Sequence, residues 1–189
     1  MALEYRLIRS RRRTMSVEIT GDASVLVRAP KWVPKYEIEN FVLKNTAWIE
    51  KNIAKVRNRR AEEAKVAPIS EAELAFLRWQ ASVIIPDKVK YFADILGVTY
   101  GRVSIRNQQT MWGSCSAKGN LSFNCLLMKL PEHMQDYVIV HELCHRKEMN
   151  HSPAFWEYVS AIIPDYKRCR RYLKEEGALV ISAMKNGRA

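Results

Sequence analysis

The chain has 189 residues, a length typical of one domain or of one domain with a small appendage. Hydrophobic residues make up 48% of the chain and charged residues 27%, which is typical of a globular protein. The chain is long enough to bury a core without a disulfide framework. No apolar run approaches the length of a membrane-spanning helix. The net charge of +11 is compatible with nucleic-acid binding, although a solubilising surface is the more common reason for such a charge.

The N-terminal segment MALEYRLIRSRRRT lacks the apolar stretch of a signal peptide, so we expect a cytoplasmic protein. The cysteines are scattered without a CxxC pair, and in a reducing compartment we expect them to be free thiols. At least three are expected to be small buried hydrophobic residues. The four are Cys115, Cys125, Cys144 and Cys169.

Alternating apolar residues predict two strands near the N-terminus. In TMSVEIT, Met15, Val17 and Ile19 share one face, which is the period-2 pattern of a half-buried strand. SVLVRAP alternates in the same way after a Gly-Asp turn, so the two segments are predicted to form an antiparallel pair.

Helical periodicity follows this pair. The charge-rich segment EKNIAKVRNRRAEEAK is typical of a solvated helix or a connector, and residues 55–70 have the only linker-like composition in the sequence. Ser70 and Glu73 form a capping-box signal for the next helix. Pro86 is expected to break or kink that helix, and Gly97 to end it.

Extended structure is predicted again in residues 98–130. Val103 and Ile105 alternate with polar residues, AKGN is typical of a turn, and LSFNCLLM is predicted to be a further strand. After Pro131 the pattern is helical as far as Gly177.

Three of the four histidines lie within eleven residues, at His141, His145 and His151. His141 and His145 are four residues apart, so on a helix they share one face and can bind one metal ion. With Glu142 they complete H-E-x-x-H, the pattern of two zinc ligands and a general base in zinc metallopeptidases. We therefore predict a Zn²⁺ site in which Glu142 accepts the proton of the activated water and passes it to the leaving amine.

His151 is the preferred third ligand. It follows His141 by ten residues, the separation found in H-E-x-x-H-x-x-G-x-x-H, although Glu148 occupies the glycine position here. We expect the turn to be built around Asn150, before an N-cap at Ser152. His133 is expected to be a surface or capping residue. A carboxylate from a later helix remains the alternative third ligand, with Glu157, Glu175 and Glu176 as the candidates.

The segments MWGSCSAKGNLSFN, DYVIVHELCHRKEMNHSPAFW and PDYKRCRRYLKEEG together resemble the YgjP-like metallopeptidase family, which is related to the SprT-like and WLM zinc peptidases. The N-terminal RRRTMSVEIT and VLVRAP also resemble the opening strands of that family. The resemblance implies His141, His145 and His151 as zinc ligands and Glu142 as the base. One departure is Met111, because the family pattern usually has arginine before the WGSC tryptophan.

The resemblance also implies an α+β fold, namely a minimal zincin-like core of an active-site helix and a small antiparallel sheet, with an N-terminal β-hairpin and helices. An extended peptide could pair with an outer strand, expected in residues 103–112 or 121–127. Trp112 and Trp156 are expected to pack in the core. Either Tyr166 or Tyr172 could stabilise an oxyanion, and the sequence does not choose between them.

These features predict a cytoplasmic zinc metallopeptidase that acts on a protein or peptide, with no membrane segment. Residues 1–189 are predicted to form one YgjP-like domain, with an N-terminal subregion at 1–66 and the zincin core at 67–189. The alternative is a nucleic-acid-associated protein with a structural or vestigial zinc site. Glu142 argues against it, because a structural site needs no base, and Cys144 is poorly placed as a fourth ligand.

Nucleic-acid contact is predicted as a weak additional property. Its basis is two arginine clusters, one at Arg9, Arg11, Arg12 and Arg13 and the other at Arg168, Arg170 and Arg171. SprT-like peptidases act in association with DNA, which favours this prediction by analogy. The oligomeric state is not predicted.

Overall fold

The structure, a computed structural model, describes residues 3–186, with side chains through residue 184. The chain divides into two compact units, residues 1–65 and 66–189. Each unit combines helices with a small three-stranded sheet, which confirms the mixed α+β class. No helix among the described residues is long and apolar enough to cross a membrane.

The first unit is a three-stranded sheet followed by two helices. Its strands are β1 (Arg6–Ser10), β2 (Ser16–Ile19) and β3 (Val25–Pro30), in the order β1-β3-β2. The helices are α1 (Lys35–Lys44) and α2 (Thr46–Lys65), so the charge-rich segment is helical up to Lys65. A separate apolar core includes Val27, Ile38 and Ile49, none of which is exposed.

The β2–β3 pair is antiparallel, as predicted for the N-terminal hairpin. The sequence did not predict β1, which pairs in parallel with β3 and aligns Leu7 with Val27. In β1 the apolar residues Leu7 and Ile8 are adjacent, so the strand lacks the alternation that would have revealed it.

The second unit begins with α3 (Glu71–Leu96), a helix of 26 residues. The Ser70 hydroxyl accepts a hydrogen bond from the Glu73 amide at 3.1 Å, and Gly97 ends the helix in the left-handed conformation, both as predicted. Of the break or kink expected at Pro86, the break does not occur, because the helix continues through this residue. Proline leaves the Ser82 carbonyl without its helical donor, and Ser82 is exposed, so solvent can satisfy that group.

The second sheet consists of β4 (Val103–Arg106), β5 (Gly113–Cys115) and β6 (Leu121–Asn124), in the order β4-β6-β5. Its β5–β6 pair is antiparallel and its β4–β6 pair is parallel. The strand predicted over LSFNCLLM ends at Asn124. There the Asn124 carboxamide accepts a hydrogen bond from the Leu126 amide at 3.1 Å and begins a 3-10 helix, Cys125–Lys129.

Three helices complete the second unit, namely α4 (Glu132–Cys144), α5 (Pro153–Ile162) and α6 (Tyr166–Asn186). Because α6 continues past Gly177, the end predicted there is wrong. Three of the four free cysteines are buried in this unit, and Cys115 is half-buried, as expected. The core gathers α3, α4 and β6 around side chains such as Ile85, Phe123 and Ile139, and supports the residues described below.

Candidate active site

The C-terminal end of α4 presents the two histidines of H-E-x-x-H on one side of the chain. His141 lies in the last turn of the helix. His145 follows the last helical residue with φ −63° and ψ −11°, so the chain is still right-handed and helical spacing is kept. The centres of the two imidazole rings are 5.1 Å apart, as the i, i+4 spacing predicted.

The chain then turns and brings His151 back to this pair. The amides of Lys147 and Glu148 donate to the Cys144 carbonyl, so an extra helical turn replaces the glycine of the metzincin pattern. Asn150 lies in the bend before α5, where the turn was expected, but it is not left-handed, since Ala23 is the sole described non-glycine residue with positive φ. The Ser152 hydroxyl accepts a hydrogen bond from the Phe155 amide at 3.3 Å and begins α5, as predicted.

The three histidines form a compact cluster of potential ligand atoms. One nitrogen of each imidazole lies within 4.8 Å of the corresponding nitrogens of the other two. The Nε2 atoms of His141 and His151 are 3.0 Å apart. Among the described residues, the cluster includes none of the alternative glutamates, Glu157, Glu175 and Glu176.

Aromatic side chains of α5 enclose the histidines. Phe155, which is not exposed, has its ring centre within 4.9 Å of all three imidazole centres. The Trp156 indole stacks on His151 at 5.6 Å, with 23° between the planes, and on Tyr166 at 5.0 Å. Trp156 also packs against the core, as expected, and its contact with the ring of His151 is an additional finding.

The surroundings of His141 and His151 lower the pKa of both imidazoles. Burial, followed by the charges of His145, His151 and Arg170, lowers the pKa of His141 to about 3. Burial is also the main cause of the lowered pKa of His151. The Nδ1 atom of His145 lies 3.1 Å from the Glu148 carbonyl, so an Nδ1–H can donate there and leave Nε2 free. Three converging imidazoles are a donor set that fits zinc.

Glu142 lies directly beside this cluster. Its side chain is 6% exposed, and burial raises the pKa of its carboxyl group to about 8. No hydrogen bond or ion pair joins this carboxyl to another of the described residues 3–186. Burying a carboxyl group without a hydrogen-bond partner costs free energy. Glu142 is therefore expected to bind a partner that the chain itself does not supply.

Gly113 in β5 allows Glu142 to occupy that position. A Cβ atom on Gly113 would lie 2.7 Å from Cγ of Glu142 and 2.9 Å from its Oε1, which is closer than real contacts allow. The sequence reasoning recognised the WGSC motif but not this role. The glycine itself was a signal, since glycine within a strand often marks close approach by another group.

Two cavities open on either side of Gly113, and both are lined by His141 and Glu142. One, of about 240 Å³, also includes Met111, Trp112 and Leu173. The other, of about 290 Å³, includes Cys115, His145, Met149 and His151. Together they form a cleft along the candidate metal centre.

The strand that borders this cleft is β5, at the edge of the sheet. Of the two ranges predicted for the peptide-pairing strand, 121–127 has no free edge, whereas 103–112 ends with Thr110–Trp112, which line the first cavity and directly precede β5. In residues 121–127 the strand is β6, which is central and paired on both sides. In residues 103–112 the strand is β4, at the opposite edge. Strand order depends on long-range pairing, which the sequence does not reveal.

His133 lies outside the cluster. Its Nε2 is 2.8 Å from Oδ1 of Asp165, and with Cys169 they form a second group of atoms able to bind a metal. The contact with Asp165 already accounts for the position of His133, and burial raises the pKa of the Cys169 thiol to about 11. The expectation that His133 is a surface residue agrees with its exposure.

Comparison with known proteins gives one family match. The YgjP-like metallopeptidase domain matches residues 13–77 and 69–176. The chain is similar to the crystal structure of the abylysin metallopeptidase zymogen of Pyrococcus abyssi, with 28% identity and a TM-score of 0.45 over 48% of this chain and 93% of that one. It is also similar to the jannalysin zymogen of Methanocaldococcus jannaschii, with 20% identity and a TM-score of 0.44 over 49% and 95%. No curated protein matches the chain.

Proposed function

The chain belongs to the YgjP-like metallopeptidase family, and we propose that it is a zinc-dependent peptidase whose His141, His145 and His151 hold the metal ion while Glu142 is the general base. The observation that carries this proposal is the convergence of three imidazole nitrogens within 4.8 Å, beside a buried carboxyl without a partner. A catalytic zinc site takes three protein ligands and keeps one position open, and the chain offers three.

The proposed site residues have different roles in hydrolysis. A zinc ion, when bound, supplies a Lewis acid that lowers the pKa of a coordinated water to about 7. Glu142 accepts the proton of the attacking water and returns it to the nitrogen of the leaving amine. The free edge of β5 is available to pair with an extended peptide, which would place the peptide along the cleft. Cytoplasmic location and the role of either tyrosine at the oxyanion stay predictions.

Metal binding tests the ligand assignment. We expect one zinc ion per chain in the purified protein, measured by atomic emission, and a similar loss of zinc in His141→Ala and His151→Ala. Glu157→Ala is the matched control, because Glu157 is outside the cluster. Full zinc in His151→Ala together with lost zinc in Glu157→Ala would show that the third ligand is misassigned.

The variant Glu142→Gln distinguishes a role of Glu142 in peptide hydrolysis from a role in zinc binding. The amide is nearly isosteric but cannot accept the proton, so we expect zinc content to stay unchanged while peptide hydrolysis falls by about 10²–10⁴-fold. Hydrolysis is measured on peptide libraries by mass spectrometry. Unchanged hydrolysis in this variant would remove Glu142 from the mechanism.

A further inference from the structure

One face of α6 borders the candidate active site. Its residues recur at intervals of three or four, so they lie in one row along the helix. Leu173 lines the cavity shared with His141 and Glu142. A Cβ atom on Gly177 would lie 3.1 Å from the Trp112 ring, and Tyr166 stacks on Trp156.

Arg170 occupies the same row, one turn before Leu173. Its Cζ lies 4.9 Å from the centre of a Trp156 ring, in a cation–π contact. Trp156 is itself stacked on His151, so the guanidinium and this candidate metal ligand contact the same indole.

The Arg170 guanidinium is exposed and has no counterion. Within residues 3–186, the ion pairs leave Arg170 without a carboxylate within 4.0 Å. The contact with Trp156 holds the guanidinium in place without using its N–H donors. An arginine fixed in this way is prepared to bind a carboxylate through two parallel hydrogen bonds.

We propose that Arg170 forms a carboxylate-binding subsite beside the metal centre, which selects peptides carrying a carboxylate close to the bond that is cut. This inference rests on the proposed peptidase function and deepens it. The carboxylate has two sources, the free C-terminus of a peptide or an Asp or Glu side chain near the scissile bond. Both would be attracted by the same guanidinium, and the position of cleavage distinguishes them.

The experiment uses the zinc-loaded full chain and two heptapeptide libraries that differ only in having free or amidated C-termini. Cleavage near the C-terminus of the free library alone identifies the terminal carboxylate. Enrichment of Asp or Glu at a fixed distance from the cut, in both libraries, identifies the side chain. Equal cleavage of both libraries with no acidic preference would overturn the proposal.

Variants of Arg170 test whether this residue causes the preference for a carboxylate. In Arg170→Gln we expect kcat/KM for the preferred carboxylate peptide to fall by about 10–100-fold, the usual effect of losing a charge-assisted hydrogen bond, and that for its neutral amide analogue to stay unchanged. Arg170→Lys should recover part of the loss. Arg171→Gln is the matched control, because Arg171 is exposed on the same helix and has no ring contact among the described residues. An equal loss on both peptides would show a structural role and contradict the proposal.

A binding measurement separates failure of the subsite from failure of the proposed function. In the zinc-loaded Glu142→Gln variant, the Arg170 Nε–H resonance, assigned by its loss in Arg170→Lys, is followed by NMR during titration. N-acetyl-leucine should shift this resonance, whereas N-acetyl-leucinamide should not. If peptides are never cleaved but the acid alone shifts the resonance, the peptidase proposal fails and the subsite stands. No shift with the acid contradicts the subsite.

Discussion

At the scale of single residues, the contact between Gly113 and Glu142 positions the proposed general base. Gly113 has no positive φ, so the backbone there can accept alanine, and the three atoms nearest to an added Cβ all belong to the Glu142 side chain. That side chain is buried against β5 and cannot move freely into solvent. A methyl group at this position therefore acts on the carboxyl rather than on the strand.

We predict that Gly113→Ala displaces Glu142 and lowers peptide hydrolysis toward the loss of about 10²–10⁴-fold that removing a general base causes. Zinc content should not change, because the three atoms nearest to the new methyl group all belong to Glu142 and none to a histidine. Hydrolysis and zinc content are measured on the same preparations. Gly21→Ala is the control, since nothing lies within 4 Å of a Cβ there, and wild-type hydrolysis in Gly113→Ala would contradict the prediction.

At the scale of secondary-structure elements, Lys88 joins α3 to the helix that carries the histidines. Its Nζ donates to Oε1 of Glu132 at 2.6 Å and to Oδ1 of Asp136 at 2.7 Å, both on α4. Partial burial disfavours the charged amine, but hydrogen bonds and charges of the two carboxylates outweigh it and raise the pKa of Lys88. The same contact lowers the pKa of Glu132.

We predict that Lys88→Met lowers the free energy of unfolding by about 1 kcal/mol at neutral pH, after allowance for solvent screening. The lowered pKa of Glu132 means that its contribution is present above its ordinary pKa of 4.5 and lost as the pH falls. The raised pKa of Lys88 means that its contribution is present below 10.5 and lost as the pH rises past the folded value.

Urea unfolding of wild type and Lys88→Met at about pH 7 and about pH 4 measures this effect. The difference between the two proteins should shrink at the lower pH. Lys90→Met is the control, because Lys90 is exposed and has no ion pair among the described residues. A difference that grows on acidification would have the wrong sign for this network.

At the scale of the whole molecule, positive charge is concentrated in the first compact unit, where Lys and Arg number fifteen against eight Asp and Glu. Not all of it is available to a partner. Arg9 donates to the carbonyls of Pro30, Lys31 and Val33, and Arg12 donates to the Ser16 hydroxyl. The exposed members of this cluster that remain are Arg11 and Arg13.

We predict weak binding of DNA or RNA without sequence preference, which would bring the peptidase to substrates already there. Binding should weaken steeply as salt rises, and replacing Arg11 and Arg13 by glutamine should reduce the slope of log K against log salt by about 1.8 on duplex DNA. Fluorescence anisotropy measures this slope. Replacing Lys90 and Lys118 removes the same charge from the other unit and is the control. If no binding is detected at about 50 mM salt, the prediction is wrong and the positive charge only makes the surface soluble.

Local features of the sequence were enough to predict much of the fold. Ser70 and Gly97 mark the ends of α3, and alternation predicted the β2–β3 hairpin. The spacing of His141 and His145 placed both rings on one side of α4. Each of these features depends on residues within about one helical turn or one hairpin, where backbone sterics and short-range hydrogen bonds dominate.

The sequence by itself therefore determined the helix that carries the proposed zinc ligands, the cap that places His151 before α5, and the family. Tertiary structure alone decided that β5 borders the cleft, that Gly113 lies under Glu142, and that Arg170 lies over Trp156. Gly113 and Glu142 are 29 positions apart in the chain, and Trp156 and Arg170 are 14 positions apart. Contacts between residues so far apart depend on how complete elements pack, and no local pattern encodes that packing.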